Sequence, residues 1–218
     1  MLALARREPS AILLAAQLAG VVLYPFMDGS VGRALFSVFG ILILGLVVLA
    51  VRSTPALTWV GVLLGTPATV LLLIQAVSGS DTLLPYSSAF ESVLYFYAGG
   101  ALIFYMLADH EITRDEMYAV GATFTLVAWA FAYAFIVCQA IYPGSFTAAV
   151  NPGGERTWME LLFLSFTTLT STGLSDVVPI EPNARSIVML EQLAGVAYVA
   201  LVVSRLVGLL VVSRGRLR

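Results

Sequence analysis

The run Thr167-Thr168-Leu169-Thr170-Ser171-Thr172-Gly173-Leu174-Ser175-Asp176-Val177-Val178-Pro179 lies between two long apolar segments, roughly Met117–Tyr142 and Asn183–Val212. It is crowded with hydroxyls and carries a glycine and an acid, in a chain of 218 residues that is 60% apolar and only 11% charged. Soluble domains carry about 25% charged residues, so this composition specifies an integral membrane protein. Inside a bilayer, backbone that is neither helix nor closed barrel is tolerated only where protein buries it or where it lines a water-filled cavity. The polar run therefore predicts a re-entrant loop, dipping into the membrane and returning.

A hydrocarbon core of about 30 Å needs about 20 residues of helix. Six segments meet that length: Ser10–Met27, Ala34–Val51, Ala56–Val77, Ser88–Leu107, Met117–Tyr142 and Asn183–Val212. Arg6 and Arg7 precede the first as they would in a signal peptide. Tyr24-Pro25-Phe26 follows instead of a small-residue cleavage site, so the segment reads as a retained span. The net charge of −2 decides little, but placement does: all 11 basic residues are arginine. With the N-terminus in the cytoplasm, Arg6, Arg7, Arg52, Arg114, Arg205, Arg214, Arg216 and Arg218 fall inside, and Arg33, Arg156 and Arg185 outside. That imbalance puts both termini in the cytoplasm and the polar run on the outer side. Cys138 is the single cysteine, so no intrachain disulfide exists.

A seventh apolar stretch, Thr157–Thr170, is too short to span. Thr157 and Glu160 stand in capping-box spacing, which starts a short re-entrant helix at the outer face running inward. Its C-terminal end carries the negative end of the helix dipole, favourable to a cation by about 0.3–1 kcal/mol. Glu160 is thereby assigned to the cap. Tyr142-Pro143-Gly144 ends the fifth span and Asn151-Pro152-Gly153-Gly154 is a turn, forming an outer turret.

From Met117 to Val212 the sequence resembles the pore half of the tetrameric potassium-channel superfamily, whose filter pattern is T-x-x-T-T-V-G-Y-G-D. Ser171 takes the filter threonine, Thr172 the valine, Gly173 the first glycine, Leu174 the tyrosine and Ser175 the second glycine; Asp176 keeps the acid. The overall likeness is to a six-span prokaryotic channel with a degenerate T-S-T-G-L-S-D filter and no charged voltage-sensor helix. The resemblance implies an all-α integral membrane fold: six transmembrane helices, a re-entrant pore helix and a filter loop, assembled as a homotetramer. It divides the chain into a four-helix support domain (1–108), a cytoplasmic linker (109–116) and a pore domain (117–218), with pore helix 157–170, filter 171–176 and inner helix 183–212. Conduction is implied for Thr170, Ser171, Thr172, Gly173, Leu174, Ser175 and Asp176, with K+ at the carbonyls of Ser171, Thr172 and Gly173. Thr167, Thr168, Glu191 and Gln192 are expected as filter support. Direct permeation is the alternative for Glu191 and Gln192, whose simplest partners are the pore-helix threonines. The permeant ion is a monovalent cation, K+ in the first instance. No cofactor, enzymatic activity or nucleic-acid partner is expected, and the setting is a bacterial inner membrane.

Carbonyls can replace an ion's hydration shell without a fixed charge that would trap it. Turning them inward needs unusual dihedrals, which Gly173 adopts cheaply. The Ser171 hydroxyl adds a ring at the inner end, and β-branched Thr172 packs sideways as valine does. The departures fall in the outer half. Leu174, with Phe163 and Leu164 on the pore helix, cannot rebuild the family's hydrogen-bonded cuff, and Ser175 meets a steric penalty for positive φ. Inner sites are expected to survive and outer ones to widen or collapse. Such single-glycine loops are similar to those of the Trk/Ktr/HKT potassium transporters, which leaves K+ conduction weakly selective. The alternatives are a non-selective or Na+-passing channel and a non-conducting, regulatory descendant of the fold. Gly173-Leu174-Ser175 also faintly resembles the Gly-x-Ser-Gly of intramembrane serine proteases, but Asp176 stands where glycine is needed and the only histidine lies in the linker.

A voltage sensor needs several arginines at three-residue spacing. The fourth span has none, so steep voltage gating is not expected. Its Glu91 reads as satisfied at the interface by a neighbour such as Tyr95, or as part of an ion pathway. His110 reads as a solvated linker residue or a pH sensor. Gly61 with Gly65, and Gly121, Ala128, Ala132 and Ala134, permit close helix packing, and Pro67 is expected to kink the third span. Asn183 is the expected N-cap of the inner helix. Gly195 reads as a gating hinge or as simple close packing. Asp176 forms an acidic ring that concentrates cations, or is held by local hydrogen bonds. Arg205 is expected to snorkel to the inner interface, and the tail Ser213–Arg218 to lie on anionic headgroups. No ligand-binding domain follows in this sequence, so gating by nucleotide or calcium through such a domain is not expected of this chain.

Overall fold

The computed structural model describes residues 8–26, 29–52, 54, 56–79, 81–108 and 113–215. Arg6, Arg7, His110, Arg216 and Arg218 lie outside that set, and with them the linker's Asp109, Glu111 and Ile112. The helices in order are α1 (Pro9–Leu23), α2 (Gly29–Arg52), α3 (Thr58–Ser78), α4 (Leu84–Leu107), α5 (Arg114–Ile141), α6 (Trp158–Leu169) and α7 (Pro182–Gly215). Among the described residues, α1 with its following 3-10 turn, α3, α4, α5 and α7 are long and apolar enough to cross a membrane. The described apolar part of α2 is Val38–Arg52. The chain is a multi-pass membrane protein.

Successive helices from α1 to α5 pack on one another, as short connections between antiparallel neighbours require. Gly79 closes α3 in a left-handed conformation (φ 63°), its N–H returning to the Gln75 carbonyl. Pro67 stands inside α3, which continues through it. The small pair Gly61 and Gly65 faces the side chain of Val48 on α2.

α5 is the hub, touching α1, α4, α6 and α7. Against α4 it is held by apolar and polar contacts together. Phe96 meets Phe131 edge-on at 4.9 Å, and Ser92 Oγ donates to the Ala130 carbonyl at 2.9 Å. Trp129 and Phe135 lie at the centre of the buried core with Tyr95, Leu94 and Leu126. Against α1, Gly121 allows Leu14 so close that an added Cβ would sit 2.8 Å from its Cδ2.

Asp115 and Glu116, counted with the linker in the sequence reading, form the buried first turn of α5, capped by Thr113. Asp115 accepts from both the N–H and the hydroxyl of Ser10, each at 3.0 Å, and so caps α1 from the side. A carboxylate there meets the positive end of the α1 dipole. Arg205 does not simply snorkel: its guanidinium pairs with Glu116 Oε2 at 3.2 Å. Glu91 is also corrected. It is buried within α4, not satisfied by Tyr95 at an interface. Tyr133 lies within interaction range, without a hydrogen bond of good geometry to either carboxylate oxygen.

The turret holds the only regular strands among the described residues, β1 (Phe146–Ala148) and β2 (Val177–Pro179), absent from the sequence reading. They pair antiparallel, Phe146 opposite Pro179 and Ala148 opposite Val177. The pairing joins the segment after α5 to the segment leaving the polar run.

Candidate functional site

The site is built on α6. Thr157 accepts from the Glu160 N–H at 3.3 Å, and Glu160 Oε2 accepts from the Thr157 N–H at 2.6 Å. The expected capping box is therefore present, and Glu160 serves it. Arg156 does more than its outer position suggested. Its side chain is buried, donates to the carbonyls of Val150, Asn151 and Gly154, and pairs with Glu160 at 3.4 Å. Gln139, on α5, clamps its backbone from both sides: Nε2 donates to the Arg156 carbonyl and Oε1 accepts from its N–H. The turret, the end of α5 and the start of α6 meet at this one residue.

At the other end α6 stops at Leu169, with Thr170 as C-cap. The N–H groups of Thr172 and Gly173 both turn back to the Thr167 carbonyl, each at 3.0 Å. Thr172 Oγ1 reaches the same oxygen at 3.3 Å, and the hydroxyls of Thr170 and Thr172 lie 3.0 Å apart. One carbonyl at the dipole's negative end thus anchors the first half of the loop. Ser171 (φ 59°) and Gly173 (φ 65°) are left-handed, and Thr172 between them is not. Alternation of hand along a backbone brings successive carbonyls toward one side, the geometry a carbonyl-lined path needs.

The alternation stops there. Ser175, expected to bear a strained positive φ, does not adopt one; instead its hydroxyl accepts from the Val177 N–H at 3.1 Å. The strain falls on Ser171, which the sequence reading did not single out for it. A non-glycine residue with positive φ is uncommon and persists where its surroundings over-determine it. Thr170 to Leu174 are all exposed on the single chain, Leu174 to 76%, as is Asp176.

The inner helix α7 lies behind the loop. It starts at Pro182, one residue before the expected cap; the Arg185 N–H bonds the Glu181 carbonyl, so Glu181 and not Asn183 stands outside the first turn. Gly195 faces the end of α6: an added Cβ would lie 2.1 Å from the Leu169 carbonyl oxygen. Glu191, fully buried, is hydrogen-bonded to Ser165, not to a pore-helix threonine. Thr167 and Thr168 are buried, with the Thr167 hydroxyl on the Leu164 carbonyl at 2.9 Å. Gln192 is exposed, beside an uncovered apolar face of α7 that includes Leu190, Leu193, Val196 and Val199.

The loop, Thr167, Glu191 and Gly195 thus gather at the end of α6. Ser165, Arg156 and Gln139 were not foreseen. Arg156 left one signal, its spacing four residues before Glu160; the other two are joined by bonds across the fold.

A family model described as "Ion channel" matches residues 122–212. No curated protein and no solved structure matches the chain. The matched stretch begins in α5 and takes in α6, the polar loop and most of α7.

Proposed function

We propose that the chain is a member of the potassium-channel superfamily, a reading supported by the ion-channel family model over residues 122–212, and that four copies enclose a cation pathway lined by the backbone of Ser171, Thr172 and Gly173. The observation that carries the proposal is the loop itself. Its backbone alternates in hand from Ser171 to Gly173, is tied to one carbonyl of α6, and stands exposed on a single chain. A polar loop with no cover of its own fits a membrane only where copies cover it around water.

The permeant ion is a monovalent cation, K+ first. Selectivity is weak, because the loop leaves the alternating pattern before Ser175 and Leu174 offers no hydrogen bond outward. Asp176 concentrates cations at the mouth. α4 carries no arginine, so the response to voltage is shallow. All six long helices span a bacterial inner membrane with both termini in the cytoplasm, and residues 1–108 support the pore.

Proteoliposomes test this. The purified protein should run as a tetramer and take up K+ in a barium-sensitive manner. Leu174→Tyr with Ser175→Gly should raise the K+ over Na+ preference. An unchanged ratio sinks the assignment of the loop. Silence under every ion and voltage leaves the non-conducting, regulatory descendant instead.

A further inference from the structure

Ser165 sits on the buried face of α6 between two other helices. Its hydroxyl lies 2.7 Å from the Ala128 carbonyl oxygen on α5 and is also hydrogen-bonded to Glu191 Oε1 on α7. A serine hydroxyl brings one hydrogen, a carbonyl oxygen only accepts, and an ionised carboxylate only accepts. If Glu191 were ionised, two acceptors would share one hydrogen, and one of the two contacts would become oxygen against oxygen. One more hydrogen is required, and Glu191 is the group that can carry it.

The surroundings agree. Glu191 is 0% exposed and its second oxygen has no partner. Charged groups on the helices around it pair with one another or with other partners: Glu160 with Arg156, Arg205 with Glu116, and Asp115 with Ser10. Arg185 reaches the Pro179 carbonyl, and the Tyr198 hydroxyl the Val120 carbonyl. A lone carboxylate without a counter-charge is strongly disfavoured in such a place.

We infer that Glu191 is a neutral carboxylic acid and a positioning residue for the filter: it donates to Ser165, which donates to the Ala128 carbonyl, in a relay tying α7 through α6 to α5. Ser165 stands two residues before Thr167, whose carbonyl anchors Thr172 and Gly173. Glu191 stands one turn before Gly195, where the end of α6 rests. The relay therefore sets the depth and rotation of α6 on which the loop hangs. Its consequence for flux rests on the conduction proposed above; the location of the proton does not.

The test is an infrared difference spectrum between wild type and Glu191→Gln, in one lipid at neutral pH. A protonated-carboxyl C=O stretch should be present in wild type and missing from the variant, and Ser165→Ala should shift it. The glutamine amide can donate in place of the acid, so E191Q should keep cation flux within about twofold, and Glu191→Ala should lower it about tenfold. Identical spectra for wild type and E191Q, or flux lost in E191Q as fully as in E191A, overturns the inference. If no protein conducts, wild type included, conduction falls while the spectra still decide where the proton lies.

Discussion

Gly195 is the point of closest approach between the inner helix and the end of α6, and what opposes a side chain there is backbone. The Leu169 carbonyl would stand 2.1 Å from an alanine Cβ, and it cannot swing aside as a flexible side chain would. Gly195→Ala must push the loop-bearing end of α6 outward, an overpacking that costs about 1–3 kcal/mol. Both the melting temperature in detergent and the cation flux should fall; a normal melt with normal flux would mean that α6 does not rest there. Glu91 makes the opposite kind of prediction. Its buried oxygens lack well-formed hydrogen bonds among the aromatic rings of Tyr95, Trp129 and Tyr133. Glu91→Gln keeps the volume and removes any chance of an unpaired charge, so the melting temperature should hold or rise. Glu91→Ala leaves a void and should lower stability by about 2 kcal/mol or more.

Among the elements, α6 shows what sequence can and cannot specify. Its start was readable because Thr157 and Glu160 act three residues apart, and its end because a polar, glycine-bearing run follows. Arg156 escaped because most of its partners are loop carbonyls and a glutamine 17 residues away, and composition does not encode such contacts. The loop was readable in part for the same reason. Gly173 announces its own left-handed backbone, whereas Ser171 adopts it in a turn that returns its N–H to the Thr168 carbonyl and the next two N–H groups to Thr167. Arg156→Ala should therefore loosen the turret and the start of α6 together, by about 1–3 kcal/mol for the acceptors left unpaired. Thr157→Ala removes only a cap and should cost about 1 kcal/mol. Thermal melts should rank the two in that order, with limited proteolysis opening at 143–156 in the arginine variant alone.

Across the whole molecule, the order of helices was legible from apolar length, but the ties between their ends were not. Asp115 with Ser10 and Glu116 with Arg205 join positions 105 and 89 residues apart. No spacing in the sequence links the members of either pair. Together they make the first turn of α5 a junction where α1 and α7 are both fastened, so a movement of the first helix reaches the inner helix through two adjacent carboxylates. Two-sided reversal of the Glu116–Arg205 pair tests that junction. Glu116→Arg and Arg205→Glu each put like charges where an ion pair of 3.2 Å stands in a nearly buried position, and each should destabilise the protein and disturb flux. The double variant restores opposite charges and should recover a coupling of about 0.5–3 kcal/mol, the range for residues in direct contact. Additive losses would show that the two side chains act separately. Recovery of stability without recovery of flux would show that the pair's polarity matters to the inner helix beyond the bond itself.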